Sequence, residues 1–132
     1  MTPEIIAPDA YVEAAVRTES PVTPELQARF TPRIIRLHHA FSGIVTEGGE
    51  LTDQLKRHIY YGAPLDEVNI VEELGDLMWY VALACYVLGV SLMVVMFRNI
   101  AKLRKRYPER FTEQAAIERN LFAEREVLEG RK

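Results

Sequence analysis

The stretch from Leu77 to Phe97 contains no charged side chain, and it limits most strongly how this chain can fold. Its 21 residues would be long enough to cross a bilayer as one helix. Gly89 and Ser91 interrupt it, however, because glycine commonly ends a helix and serine caps the next one. The residues on its N-terminal side are acidic and not basic, namely Glu72, Glu73 and Asp76. We therefore predict two buried helices here and no membrane span.

Apolar residues recur at helical spacing along most of the chain, and no strand-like alternation of useful length is present. The start and stop signals predict a first helix over about 9–17, a break at 20–24, and a second helix from Thr31-Pro32 to a loop at Tyr60–Pro64. Three further helices are predicted, from an Asp66 cap to Leu88, from Ser91 to before Pro108, and from Thr112 to near Gly130. A length of 132 residues suits a single domain. We predict an all-α bundle of four or five helices over residues 1–132, with loose termini at 1–8 and 129–132.

Charge and cysteine content exclude several classes of protein. The formal net charge of −3 does not suit a nucleic-acid binder, which needs concentrated Lys and Arg. The single Cys85 cannot form an internal disulfide, which suits a reducing compartment. The chain also starts without a basic segment followed by an apolar run, the pattern of a secretory signal. We expect a cytoplasmic protein that binds neither nucleic acid nor membrane.

Two acidic pairs stand out on the predicted helices, Glu47 with Glu50 and Glu73 with Asp76. Residues three apart lie on one helix face, so the members of each pair converge. Neither Glu47 nor Glu73 has a Lys or Arg three or four residues away, and helical geometry places Glu73 at the margin of the apolar stripe. A divalent cation such as Mg²⁺ or Mn²⁺ would neutralise such carboxylates. A solvated acidic face is the alternative that the residues alone leave open.

Other polar residues support fewer conclusions. Asn99, Lys102 and Arg106 share one helical face, as a solvated basic patch near a helix C-terminus would. The three histidines, His38, His39 and His58, are interpreted as structural because their spacing does not suit a metal site. Trp79 is expected to pack away from Tyr80, in the core or at an interface. The Gly48-Gly49 pair lacks the following Lys-Ser/Thr of a phosphate-binding loop.

The order ExxE, a spacer of 22 residues and ExxD resembles the MazG-like all-alpha nucleotide pyrophosphohydrolases. Further segments look like phage and bacterial members of that family, namely Tyr11–Thr18, Val45–Glu47, Leu55–Gly62, Val71–Asp76 and Asn99–Pro108. The likeness covers about residues 10–128. Gly48 departs from it, because a small residue such as Ala is usual there.

The resemblance implies a MazG-like helical bundle that converts a (d)NTP into the (d)NMP and pyrophosphate. It makes Glu47, Glu50, Glu73 and Asp76 the ligands of Mg²⁺, for which Mn²⁺ is a possible substitute. Glu47 or Glu50 would also activate the attacking water. The substrate contacts that it implies are Tyr80, Asn99, Lys102 and Arg106.

The resemblance leaves the base open, and a purine substrate such as dGTP or GTP is weakly favoured. The alternatives are a dUTP- or dCTP-specific enzyme, a broad house-cleaning pyrophosphatase, and a phosphoribosyl-ATP pyrophosphohydrolase of related fold. An alternative of another class is a non-catalytic helical oligomerisation module. The apolar content between Met78 and Phe97 exceeds what a thin bundle can bury, which, like the resemblance, predicts a homodimer or homotetramer.

Overall fold

The computed structural model describes residues 8–130, which form seven α-helices and no strand. The helices are α1 (Pro8–Val16), α2 (Pro24–Ala28), α3 (Pro32–Tyr61), α4 (Glu67–Leu88), α5 (Leu92–Arg106), α6 (Glu113–Ile117) and α7 (Leu121–Glu129). The predicted all-α class is therefore confirmed. Most of the two predicted loose termini lies outside the described residues, although Pro8 begins α1 and Glu129 ends α7.

The chain divides into two compact units, residues 1–34 and 35–132. In the first unit, the Thr23 hydroxyl caps α2 by accepting a hydrogen bond from the Leu26 amide at 3.2 Å. Thr31 accepts one from the Ile34 amide at 3.3 Å, as the predicted start of α3 requires. Helix α2 was not predicted, because five residues are too few to show an apolar period.

In the second unit, α3 continues two residues further than predicted. The loop was expected to begin at Tyr60, but the helix ends at Tyr61. Gly62 then adopts a left-handed conformation with φ of 69°, which glycine reaches without steric cost. His58 Nδ1 lies 2.9 Å from the Ala63 carbonyl oxygen and contacts the backbone of the turn after α3. This contact agrees with the interpretation of His58 as a structural residue.

The uncharged stretch is divided between α4 and α5 at the predicted residues. Gly89 ends α4 in a left-handed conformation with φ of 70°, and the Ser91 hydroxyl accepts a hydrogen bond from the Val94 amide at 3.2 Å. The two helices are bent by 98° at this break. Within residues 8–130, no single helix is long and apolar enough to cross a membrane, and only the bent pair taken together has the necessary length and composition.

The single helix predicted after Thr112 is wrong, because the structure has α6 and α7 in its place. The Asn120 side chain accepts a hydrogen bond from the Ala123 amide at 3.0 Å, and asparagine favours such a cap over a helix interior. Arg106 at the end of α5 then binds Glu124 of α7 through two hydrogen bonds of 2.8 and 2.6 Å. Glu124 is 4% exposed, so this buried ion pair joins α5 to α7.

Candidate metal centre

Helices α3 and α4 run antiparallel, and four contacts between them fix their register. From one end to the other, Arg36 lies over the Tyr86 ring, Gly43 meets the Tyr80 ring, Glu47 approaches Glu73, and Gln54 donates to Asn69. Residue numbers rise along α3 as they fall along α4, which brings Glu47 of α3 opposite Glu73 and Asp76 of α4. The site is therefore a consequence of helix pairing.

Three of the four predicted acids converge. One carboxylate oxygen from each of Glu47, Glu73 and Asp76 lies within 4.8 Å of the other two. Glu73 is 7% exposed, more deeply buried than the core margin expected from its position on the helix. Glu50 is exposed and does not belong to this three-residue group. Its place in the predicted ligand set remains a prediction.

The acids of the cluster repel one another. The pKa of Glu47 is raised above its ordinary value, first by burial, then by a hydrogen bond with Glu73, and then by the negative charges of Glu50, Glu73 and Asp76. The ion pairs found in the described part of the chain, those of Lys56, Arg106, Arg119 and Arg125, all involve other acids. Among residues 8–130, no ion pair balances the negative charge of the cluster.

The spacing of the oxygens suits a small divalent cation. Oxygens on opposite sides of Mg²⁺ are about 4.2 Å apart, because each Mg–O bond is about 2.1 Å long. The observed limit of 4.8 Å lies close to this value, so small side-chain rotations would complete the ligation. Hard oxygen donors without thiolate or imidazole favour Mg²⁺ or Mn²⁺.

An amide side chain supports the most buried acid of the cluster. Asn69 Nδ2 donates a hydrogen bond to Glu73 Oε1 at 3.0 Å and a longer one to Glu72 Oε2 at 3.4 Å. On its other side, Asn69 Oδ1 accepts a hydrogen bond from Gln54 Nε2 of α3. The sequence analysis gave neither amide a role, because only the pairing of the helices brings them together.

An aromatic group borders the carboxylates. The Tyr80 ring lies against Gly43 so closely that a Cβ atom there would be 2.2 Å from the ring. Edge-to-face contacts with centroid distances of 5.6 and 4.9 Å join Tyr80 to His39 and Trp79. Tyr80, Trp79, Glu47 and Asp76 line one cavity of about 360 Å³. The expectation that Trp79 points away from Tyr80 is therefore wrong, since the two rings touch and border the same cavity.

The predicted substrate residues of α5 have different surroundings. Asn99 is exposed and Lys102 is half-buried, and in the described range no hydrogen bond or ion pair joins either of them to the acidic cluster. Arg106 binds Glu124 with two nitrogens, and this contact raises the pKa of its guanidinium. The structure thus places Tyr80 beside the acids, whereas the phosphate-binding role of the α5 residues stays a prediction.

The described fold is all-helical, and acids from its two longest helices form a group that could hold a metal ion. The family model described as the MazG nucleotide pyrophosphohydrolase domain matches residues 37–111, which is more than half of the chain. The chain therefore belongs to the MazG family, as the resemblance predicted, and all the predicted site residues lie inside the matched segment. Neither the curated proteins nor the solved structures contain a significant match.

Proposed function

We propose that this protein is a metal-dependent nucleoside triphosphate pyrophosphohydrolase, which converts a (d)NTP into the (d)NMP and pyrophosphate. One observation carries the proposal within the family. Three carboxylates, those of Glu47, Glu73 and Asp76, converge without a cationic partner among the described residues. An arrangement of like charges beside an open cavity is costly unless a cation occupies it.

The metal site consists of Glu47, Glu73 and Asp76, with Glu50 approaching from the next turn of α3. Mg²⁺ is the proposed ion, with Mn²⁺ as a substitute, because all the donors are carboxylate oxygens. A divalent ion held there would neutralise phosphate charge and acidify a bound water. The burial of Glu73 restricts its motion, so we assign it to ligation only.

Glu47 or Glu50 accepts the proton of the attacking water. The water oxygen forms a bond to phosphorus, the bridge between the α and β phosphates breaks, and pyrophosphate leaves. Glu50 lies outside the three-residue group, which leaves its carboxylate free for this role, while Glu47 lies in the group and lines the cavity. Glu50→Gln and Glu47→Gln separate the roles, because loss of the base lowers kcat and loss of a ligand weakens Mn²⁺ binding.

The nucleotide would enter the cavity beside Tyr80 and Trp79. Stacking of the base on an aromatic side chain favours the larger purine ring, and we propose dGTP or GTP as the substrate. Asn99, Lys102 and Arg106 would contact phosphate or sugar. Arg106 would have to share its guanidinium with Glu124 to do so.

We also propose a homodimer or homotetramer. Met93, Met96 and Phe97 on α5 are 77%, 60% and 72% exposed, and adjacent apolar side chains of this size mark an association surface. Light scattering coupled to gel filtration measures the mass directly. A monomer at micromolar concentration would contradict this part of the proposal.

The decisive experiment incubates the protein with Mg²⁺ and, separately, dGTP, dATP, dUTP and dCTP, and measures pyrophosphate and monophosphate. We expect both products with at least one nucleotide, with the highest turnover for dGTP, and loss of activity with EDTA. Glu73→Gln should abolish turnover, while Glu72→Gln, an exposed neighbour with the same charge change, should retain it. No pyrophosphate from any nucleotide would favour the non-catalytic module instead.

A further inference from the structure

The amide contact between α3 and α4 lies one turn from the acidic cluster. Asn69 is half-buried, and its side chain uses both ends, since Nδ2 donates to Glu73 Oε1 at 3.0 Å and Oδ1 accepts from Gln54 Nε2. The backbone amide of Asn69 also donates to Asp66 Oδ1 at 3.1 Å, which fixes its place in the first turn of α4. Both the position and the orientation of this side chain are therefore determined.

The orientation of the Asn69 amide decides whether Glu73 faces a hydrogen-bond donor or an acceptor. A carboxylate can only accept hydrogen bonds, so Glu73 is supported by Nδ2 and would be repelled by Oδ1. A carboxamide has nearly the same shape after a half-turn, and the difference between its two orientations comes from its partners. Glu73 and Glu72 can only accept and face Nδ2, while Gln54 Nε2 donates to Oδ1, so the three partners together keep the supporting orientation.

We infer that Gln54 and Asn69 are positioning residues, which hold the Glu73 carboxylate in the orientation that binds a divalent cation. This inference rests on the proposed function. Asn69 binds one oxygen of Glu73 and leaves the other for the metal, and Gln54 acts only through Asn69. Hydrogen-bonding partners of metal ligands commonly change metal affinity by about 10- to 100-fold when they are removed.

The test is a substitution that removes the Gln54 donor without changing the size of the side chain. In Gln54→Glu, the new carboxylate cannot donate to Asn69 Oδ1 and repels it, so the Asn69 amide turns or moves away and its support of Glu73 weakens. We expect the Kd for Mn²⁺, measured by titration calorimetry without nucleotide, to rise by about 10-fold or more. A purely electrostatic effect has the opposite sign, because an added negative charge near the site tightens cation binding.

A double-mutant cycle shows whether Gln54 acts through Asn69. Asn69→Ala alone should also weaken Mn²⁺ binding, and Gln54→Glu should weaken it no further in that background, because no amide remains to be turned. Glu72→Gln is the matched control. Its contact with Asn69 is exposed and 3.4 Å long, so its Kd should stay within about threefold of the wild type. Far-UV circular dichroism of every variant checks that the helices are intact.

The outcomes separate this inference from the proposed function. If the wild-type protein does not bind Mn²⁺, or if Glu73→Gln binds it as well as the wild type, the proposed metal site is wrong. If the wild type binds Mn²⁺ and Glu73→Gln does not, but folded Gln54→Glu binds it equally well or more tightly, the positioning role alone is overturned. Equal weakening by Gln54→Glu with and without Asn69 would also overturn it.

Discussion

Replacing Gly43 by alanine tests the close approach between α3 and α4. The added Cβ would lie 2.2 to 2.4 Å from three ring atoms of Tyr80, whereas carbon atoms in contact are about 3.5 to 4.0 Å apart. The ring must therefore move by more than about 1 Å. Overpacking of this kind costs about 1–3 kcal/mol, while alanine gains about 1 kcal/mol of helix propensity over glycine. We expect Gly43→Ala to lower the free energy of unfolding by about 0–2 kcal/mol, which is the difference between these terms.

The same helix offers a control that isolates the steric cost. A Cβ at Gly49 has no neighbour within 4 Å, so Gly49→Ala should raise the free energy of unfolding by about 1 kcal/mol. The two variants should therefore differ by about 1–3 kcal/mol in urea denaturation. Protein concentration is kept equal, since association contributes to stability. If Gly43→Ala stabilises the protein as much as Gly49→Ala does, Tyr80 does not pack on Gly43.

Three further predictions concern pH and capping. Arg106 holds the pKa of Glu124 at about 2, below its ordinary 4.5. The ionised carboxylate therefore stabilises the folded protein fully above pH 4.5, and this contribution is lost as the pH falls towards 2. In Glu124→Gln, the Tm should fall less steeply with decreasing pH than in the wild type. The pKa of Glu47 is shifted in the opposite direction, upwards, so the metal-free protein should lose stability as the pH rises and this carboxyl group ionises. The affinity for Mn²⁺ should increase over the same pH range, because proton and metal ion compete. Titration calorimetry in acidic and neutral buffer should show that Glu47→Gln removes this increase in affinity. Ser91→Ala should cost about 1 kcal/mol in urea denaturation and Ser91→Asp much less, because aspartate also caps helices; equal losses would contradict the cap.

Features that depend on a few neighbouring residues were predictable from the sequence. Asp66, Gly89 and Ser91 end or begin helices through contacts within four residues, so their positions could be assigned without knowledge of the fold. The break at Asn120 depends on an equally local cap. It was missed because the apolar spacing continues across it.

Features that depend on the rotation of one helix against another were only partly predictable. The helical period places Glu73 near the apolar face of α4, and the structure buries it. No property of α3 alone shows that Glu47, and not Glu50, faces Glu73. The contact of Gln54 with Asn69 is likewise tertiary. The sequence therefore predicted the acids as a set, while the structure separates a convergent group of three from an exposed fourth.

The acidic cluster lies between two contacts that hold α3 and α4 together, Tyr80 on Gly43 at one end and Gln54 with Asn69 at the other. Repelling carboxylates at a freely adjustable interface would move apart. Here both ends are fixed, so the acids stay close, and burial, the hydrogen bond with Glu73 and the neighbouring negative charges raise the pKa of Glu47. Loosening either contact should therefore lower that pKa and weaken Mn²⁺ binding together, because proton and metal ion bind the same crowded charges. We therefore expect the pKa of Glu47 and the Kd for Mn²⁺ to respond to the same geometric constraint.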